Sequence, residues 1–341
     1  TASHATEAAE RLAAAIEKMK RGERQTIVVG VGHGTCTCEG AAFEYVFNVE
    51  HEIREAGVRD MADIVYLTNE YTLGDFGVDG MTFTQRGFET SSKTWTESLF
   101  RERGVRAITG AHVHAVEPGV VRSEQVDGTM GTLEFDVAML LPPFRGADMT
   151  AYDADGHDIS EKVFAPSGFM KVDADYTPKP YEEWRATDWP RTYESPAYPN
   201  VFAAGIAFAP PHQISRPRTS PNGTVIAPAP PRTGMPSGIM GKVVAETIID
   251  RITNPSAPAH SASMAHMGAA CIASAGAGLR NGTAAAMTMY PVVPDYQTYP
   301  GSGRSPKDTY GEIGPVSYTH LRAHETVLVI SYAVFCLKKG G

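Results

Sequence analysis

Leu12, Ile16 and Met19 recur at helical spacing in an alanine-rich stretch, which predicts an amphipathic helix over Thr6–Lys20. Thr26-Ile27-Val28-Val29 is β-branched throughout and reads as a short buried strand. It runs into Gly30-Val31-Gly32-His33-Gly34. The helical period returns over Glu39–Ala56, with Phe43, Val46, Phe47 and Ile53 on one face. Asp63–Leu67 is the next strand. Strand, glycine turn, helix, strand is a βαβ unit of a doubly wound α/β sheet.

Further along, Thr94–Arg103 reads as a helix, and Val105–Thr109 and Ala111–Val116 as strands. Asp127-Gly128 marks a hairpin turn ahead of a strand over Leu133–Leu141, which ends at Pro142-Pro143. Phe169–Val172 and Asn200–Ala204 are short strand candidates, and a helix is predicted over Ser237–Arg251. The alanine- and methionine-rich segment Met264–Met289 favours neither class. From Gly314 the composition changes abruptly. Gly314–Gly341 resembles a translated sequencing adapter and is expected to be foreign to the fold, Cys336 with it.

Composition narrows the classes. With 341 residues, 42% of them hydrophobic, the chain can bury a sizeable core. A net charge of −9 argues against nucleic acid as a partner. No run is long and apolar enough to span a bilayer, and no signal peptide opens the chain. Residue 1 is threonine just ahead of a helical pattern, so the chain is expected to begin inside a longer protein. Of 24 prolines, 15 lie between Pro178 and Pro258, which reads at first as a linker between domains.

Four features carry candidate chemistry. Glycines at 30, 32 and 34 allow a tight turn before a helix, but the spacing is G-x-G-x-G. The acidic residue expected about 20 positions on is absent; Asn69-Glu70 lies nearer 40 away. Such a turn needs no bound nucleotide to explain it. Cys36 and Cys38 stand at the start of the following helix, where orphan amides and the dipole stabilise a thiolate. They read either as a redox pair or as small buried cysteines. Asn200–Gly205 is a strand stopping at a glycine, and Pro231–Ser237 presents a second helix N-terminus, capped by Thr233 or Ser237. Cys271 is flanked by small residues that permit close approach. The histidines, His112 and His114 included, form no metal pattern.

In order and spacing, the segments Gly34–Glu44, Phe202–Pro211, Pro231–Ser237 and that around Cys271 jointly resemble the sulfide:quinone oxidoreductases. The resemblance covers residues 1–300 and implies a Rossmann-like FAD/NAD(P)-binding fold whose flavin domain is split, with its first half missing here. It divides the chain into a linking helix (1–24), a second Rossmann-like domain (25–130), a return to the flavin domain (131–313) and the tail (314–341). It implies a redox-active pair, Cys38 and Cys271, and a catalytic role for His4, which resembles a histidine just after a third cysteine of the family. Gly205 and Ile206 would lie at the flavin's ribityl–phosphate chain, Thr233 and Gly234 at its pyrimidine ring, and Pro142, Pro143 and Phe144 at the return loop. A second family histidine falls at Asp75, a third family cysteine would precede Thr1, and Cys36 has no family role.

The implied activity is sulfide oxidation to sulfur or polysulfide, with electrons passing through FAD to quinone. The implied location is the inner or plasma membrane surface of a prokaryote, reached through a C-terminal segment outside this chain, with homo-oligomer formation open. Three other readings stay open: the flavin subunit of a cytochrome-linked sulfide dehydrogenase, a type II NADH dehydrogenase, and an inactive fragment.

Overall fold

The computed structural model describes residues 2–32, 39–85, 88–275 and 283–315. Its helices are α1 (Ala2–Lys20), α2 (Glu39–Glu55), α3 (Ser92–Arg103), the single turn α4 (Ser160–Val163) and α5 (Gly234–Thr253). Its strands up to the return loop are β1 (Gln25–Val31), β2 (Ala62–Leu67), β3 (Thr82–Gln85), β4 (Phe88–Ser91), β5 (Arg106–Ile108), β6 (Ala111–Glu117), β7 (Val120–Gln125), β8 (Met130–Glu134) and β9 (Val137–Leu141). After it come β10 (Arg218–Thr219), β11 (Val225–Ile226), β12 (Ala269–Ala275), β13 (Thr283–Met289) and β14 (Tyr310–Pro315).

The central sheet has the order β5-β2-β1-β9, and all its pairings are parallel. Its strands are nearly continuous apolar runs, as a sheet covered on both faces requires. Ile27, Val29 and Val31 of β1 pack towards Phe43, Val46, Phe47 and Ile53 of α2. Val28 joins Val65 and Leu67 against Val113 and Val121 of the antiparallel β6-β7-β8 layer. Two of the turn glycines have a packing cause. A Cβ on Gly30 would fall 1.8 Å from the Leu67 carbonyl oxygen, and one on Gly32 would fall 2.9 Å from that of Leu141. Glycine at 30 is therefore what lets β2 lie beside β1.

A second sheet, β12-β13-β14-β3-β4, lies beyond α2. Strand β12 packs against α2 and also touches α5. The alanine- and methionine-rich segment is thus largely the antiparallel pair β12 and β13, in register from Ala269↔Met289 to Ala275↔Thr283.

Several expectations are corrected. The strand predicted over Leu133–Leu141 is two strands. Asp136 breaks it: its backbone N–H donates to the Thr26 carbonyl (2.9 Å) and its Oδ2 accepts from the Thr26 N–H (2.7 Å), so the chain steps from one sheet to the other. Phe169–Val172 and Asn200–Ala204 form only isolated bridges, at Met170 and Phe202. Asn200 has φ 64°, a left-handed conformation that interrupts a strand. Helix α5 begins at Gly234 rather than Ser237, since Pro236 is tolerated in a first turn. Gly314 and Pro315 pair with Ala284 and Thr283, so the sheet runs two residues into the segment expected to be foreign. His33, Gly34, Cys36, Cys38 and residues 316–341 lie outside the described residues.

Candidate functional site

The N-terminus of α5 and the 205–208 turn make one construction. Thr233 caps the helix in an extended conformation but makes no side-chain capping bond. Its Oγ1 is buried and has no hydrogen-bond partner among the described residues. A Cβ on Gly234 would meet nothing within 4 Å, so the turn opens on free space. A helix end left in this state offers uncapped amides and the positive end of a dipole.

Gly205 packs against that end. Its φ is +63°, and a Cβ there would come within 2.9 Å of Ser237 Oγ and 3.2 Å of Ser237 Cβ. The Gly205 N–H donates to Met240 Sδ at 3.3 Å. Ile206, next in the turn, is exposed. The structure therefore gathers Gly205, Ile206, Thr233 and Gly234, drawn from segments separated in sequence.

Arg232, unremarked in the sequence, holds the two together. It is 4% exposed, and its Nη1 donates to the carbonyls of Ile206 (3.0 Å) and Phe208. Its guanidinium lies over the rings of Phe169 and Phe208, at 4.7 and 5.4 Å. Burial lowers its pKa to about 10, which still leaves it charged at neutral pH. A lone charge in a proline-bound apolar turn was the available signal.

The other predicted residues are placed differently. His4 stands near the start of α1 and lines a cavity of ≈ 290 Å³ with Glu7, Arg11, Val29 and Met139. Pro143 and Phe144 are exposed just past the C-terminal end of β9. Cys271 sits on β12, opposite Met287 of β13, on the strand that packs against α2. Helix α2 begins at Glu39, the residue after Cys38 in the sequence.

Three buried carboxyl groups follow the C-terminal ends of β1 and β2, where open α/β sheets present their crevice. Glu39, Glu70 and Asp75 are 1%, 2% and 3% exposed. The Phe76 N–H donates to Glu70 Oε1 (2.7 Å), and the next amide, Gly77, donates to Asp75 Oδ1 (3.0 Å). Tyr66 and Thr68 hydroxyls donate to Glu70 Oε2 (3.3 and 3.0 Å), and the Ser215 hydroxyl to Asp75 Oδ1 (2.5 Å). Glu39 Oε1 accepts from the Ala229 N–H (3.2 Å), while its Oε2 has no partner among the described residues. Burial, reinforced by the other carboxylates, raises the Glu39 pKa well above the usual range. Burial pushes Glu70 up to about 8 and Asp75 up to about 6. In sequence Glu39 reads as an ordinary solvated acid favouring a helix N-terminus, so this grouping was missed.

A larger cavity of ≈ 510 Å³ is walled by Tyr181, Trp184, His212 and Tyr296, with Asp79 and Arg191 among its polar groups.

No family model matches the chain. It is 28% identical over 228 residues to the sulfide-quinone reductase of Aquifex aeolicus (strain VF5), covering 67% of this chain and 44% of that protein. The X-ray structure of the sulfide:quinone oxidoreductase from the hyperthermophilic bacterium Aquifex aeolicus matches with a TM-score of 0.61 and 25% identity, covering 89% of this chain and 57% of that one. The chain thus spans about half the length of the relatives it matches. It is related to the sulfide:quinone oxidoreductases and is built on their Rossmann-like α/β fold.

Proposed function

We propose that this chain is part of a flavoenzyme that oxidises sulfide and passes the electrons to quinone. The observation that carries the reading is the α5 end: a buried Thr233 Oγ1 without a partner, an open face at Gly234, and a glycine turn at 205 held against it by Arg232. These features fit the flavin of FAD. Uncapped amides and a positive dipole end suit a ring system that becomes anionic on reduction. Gly205, Ile206, Thr233 and Gly234 would hold it, with Pro143 and Phe144 at the return loop. FAD, when bound, supplies the two-electron acceptor.

The chemistry on the chain's own residues falls to Cys38 and Cys271. Attack of HS⁻ on a bridge between them forms a new S–S bond at one cysteine and breaks the bridge. The other cysteine leaves as a thiolate. The packing of β12 against α2 supports this pairing at the level of the backbone, since one element carries Cys271 and the other directly follows Cys38. His4, at the start of α1, would serve as a polar neighbour of the reacting sulfur. Among the described residues no helix is long and apolar enough to cross a membrane. In this reading quinone is met at a membrane surface through residues beyond the described ones.

The test is spectroscopic. The chain reconstituted with FAD should show bound-flavin absorbance, and sulfide should bleach it. Cys38→Ser should keep the flavin and lose the bleaching. Unchanged bleaching in that variant overturns the assignment.

A further inference from the structure

We propose that Glu39, Glu70 and Asp75 form a proton-holding site at the C-terminal edge of β1 and β2, separate from the α5 cradle, which exchanges protons with the reaction. Its use in turnover rests on the flavoenzyme reading; its protonation does not.

The geometry makes a fully ionised cluster untenable. Three carboxyl groups share a buried region, bound through the consecutive amides of Phe76 and Gly77. A Cβ on Gly77 would lie 3.3 Å from Glu39 Oε2, which places the unpartnered oxygen beside the amide that holds Asp75. Among the described residues, the nearby cations act on the Asp75 and Asp79 side and not on Glu39 or Glu70. Arg304, 5% exposed, donates to the carbonyls of Val78, Gly80 and Val292, and its charge acts on Asp79 and Asp75. Arg218 acts on Asp79 and lies over the Tyr71 ring at 4.1 Å. Among the described residues, the groups facing Glu39 and Glu70 are the other carboxyls, the Tyr66 and Thr68 hydroxyls and backbone amides, while the Ser215 hydroxyl donates to Asp75. Like charges that act on one another in a buried region, away from water, are relieved by binding a proton. A metal ion is the less suited occupant. Among the described residues only Asp153, Asp155 and His157 bring three ligand atoms within 4.8 Å of one another.

The proposed reaction gives such a site a task. Written in full, HS⁻ + R–S–S–R′ → R–S–S⁻ + R′–S⁻ + H⁺. One S–S bond forms, one breaks, and the sulfide proton is released. A carboxylate of the cluster accepts it, –COO⁻ + H⁺ → –COOH. The Glu70 and Asp75 values of about 8 and about 6 span neutrality, so the cluster both takes and returns protons there.

Difference infrared titration of the chain alone, without flavin or sulfide, tests the site. A deuterium-sensitive carbonyl band of protonated carboxylic acid should be present at about pH 5 and lose intensity in steps as pH rises through about 6 and about 8. In Asp75→Asn the upper of these steps, Glu70's, should move down by about one pH unit, because the like charge beside Glu70 is gone. Should that variant fail to fold, Glu39→Gln must remove part of the band, since burial and the other carboxylates keep a proton on that carboxyl. A merely structural role for these groups would lower stability without moving the titration. Absence of the band at about pH 5, or an unmoved upper step, overturns the proposal. Failure of the flavoenzyme reading shows separately, as flavin that sulfide does not bleach while the titration persists.

Discussion

Helix α2 buries a glutamate near each end, and the two are held in opposite ways. Glu50, 0% exposed, accepts from three arginines: Arg54 Nε at 2.9 Å, Arg59 Nε at 3.3 Å and Arg103 Nη1 at 3.2 Å. Arg103 in turn lies over the Phe47 ring at 5.2 Å. Glu39, 1% exposed, has one described amide donor from another element, carboxyl neighbours and an oxygen with no described partner. Burial alone therefore does not say what an acid is for. A carboxylate given cations ties α2 to the turn after it and to the end of α3. A carboxyl given other carboxyls holds protons.

Four substitutions break or sharpen that contrast. The largest effect belongs to Glu50→Ala. It removes the buried carboxylate that Arg54, Arg59 and Arg103 share, and should lower unfolding stability by about 3–5 kcal/mol in urea denaturation. An unchanged midpoint would mean that the arginines do not depend on it. Gly205→Ala tests the cradle instead. A left-handed conformation and a contact with Ser237 should together cost about 2 kcal/mol and loosen flavin retention, measured by absorbance after gel filtration.

Glu39→Gln comes third, through its pH dependence. Carboxyls with raised folded-state pKa values bind more protons folded than unfolded. They stabilise below the unfolded value, and that stability drains away as pH rises through the folded one. The window runs from the ordinary carboxyl range up to about 8 for Glu70 and about 6 for Asp75. Unfolding free energy should fall across it, and Glu39→Gln should flatten the fall by about 1–2 kcal/mol, read from melts at several pH values. A slope as steep as the unsubstituted chain's would remove Glu39 from the cluster. The smallest effect is expected at Glu117→Gln. Its carboxylate pairs with Arg122 at 3.0 Å, but both side chains are about half exposed, so the melting midpoint should not move.

The apolar periods made much of this fold legible. The β-branched run of β1 and the Phe43–Ile53 stripe of α2 are strong signals because one face of each is wholly buried. Asp136 was not legible as a break, because a single aspartate in an apolar run acquires meaning only through its two bonds to Thr26. Strand β12 resisted assignment because alanine and methionine fit helix and strand alike. At the site, Thr233, Gly234 and Gly205 were visible as turn chemistry. Arg232 and the carboxyl cluster were not, since a charged residue is ordinarily read as solvated and only tertiary packing puts it inside.

Strand β12 lies against α2 although more than half the chain separates them. During synthesis, α2 leaves the ribosome long before Ala269–Ala275 does. Until then it has β1 and β2 beside it but lacks its later partner. Nascent chains halted ahead of β12 should therefore be cut readily around α2 by added protease, and protection there should arrive late, in one step, as the hairpin of β12 and β13 emerges.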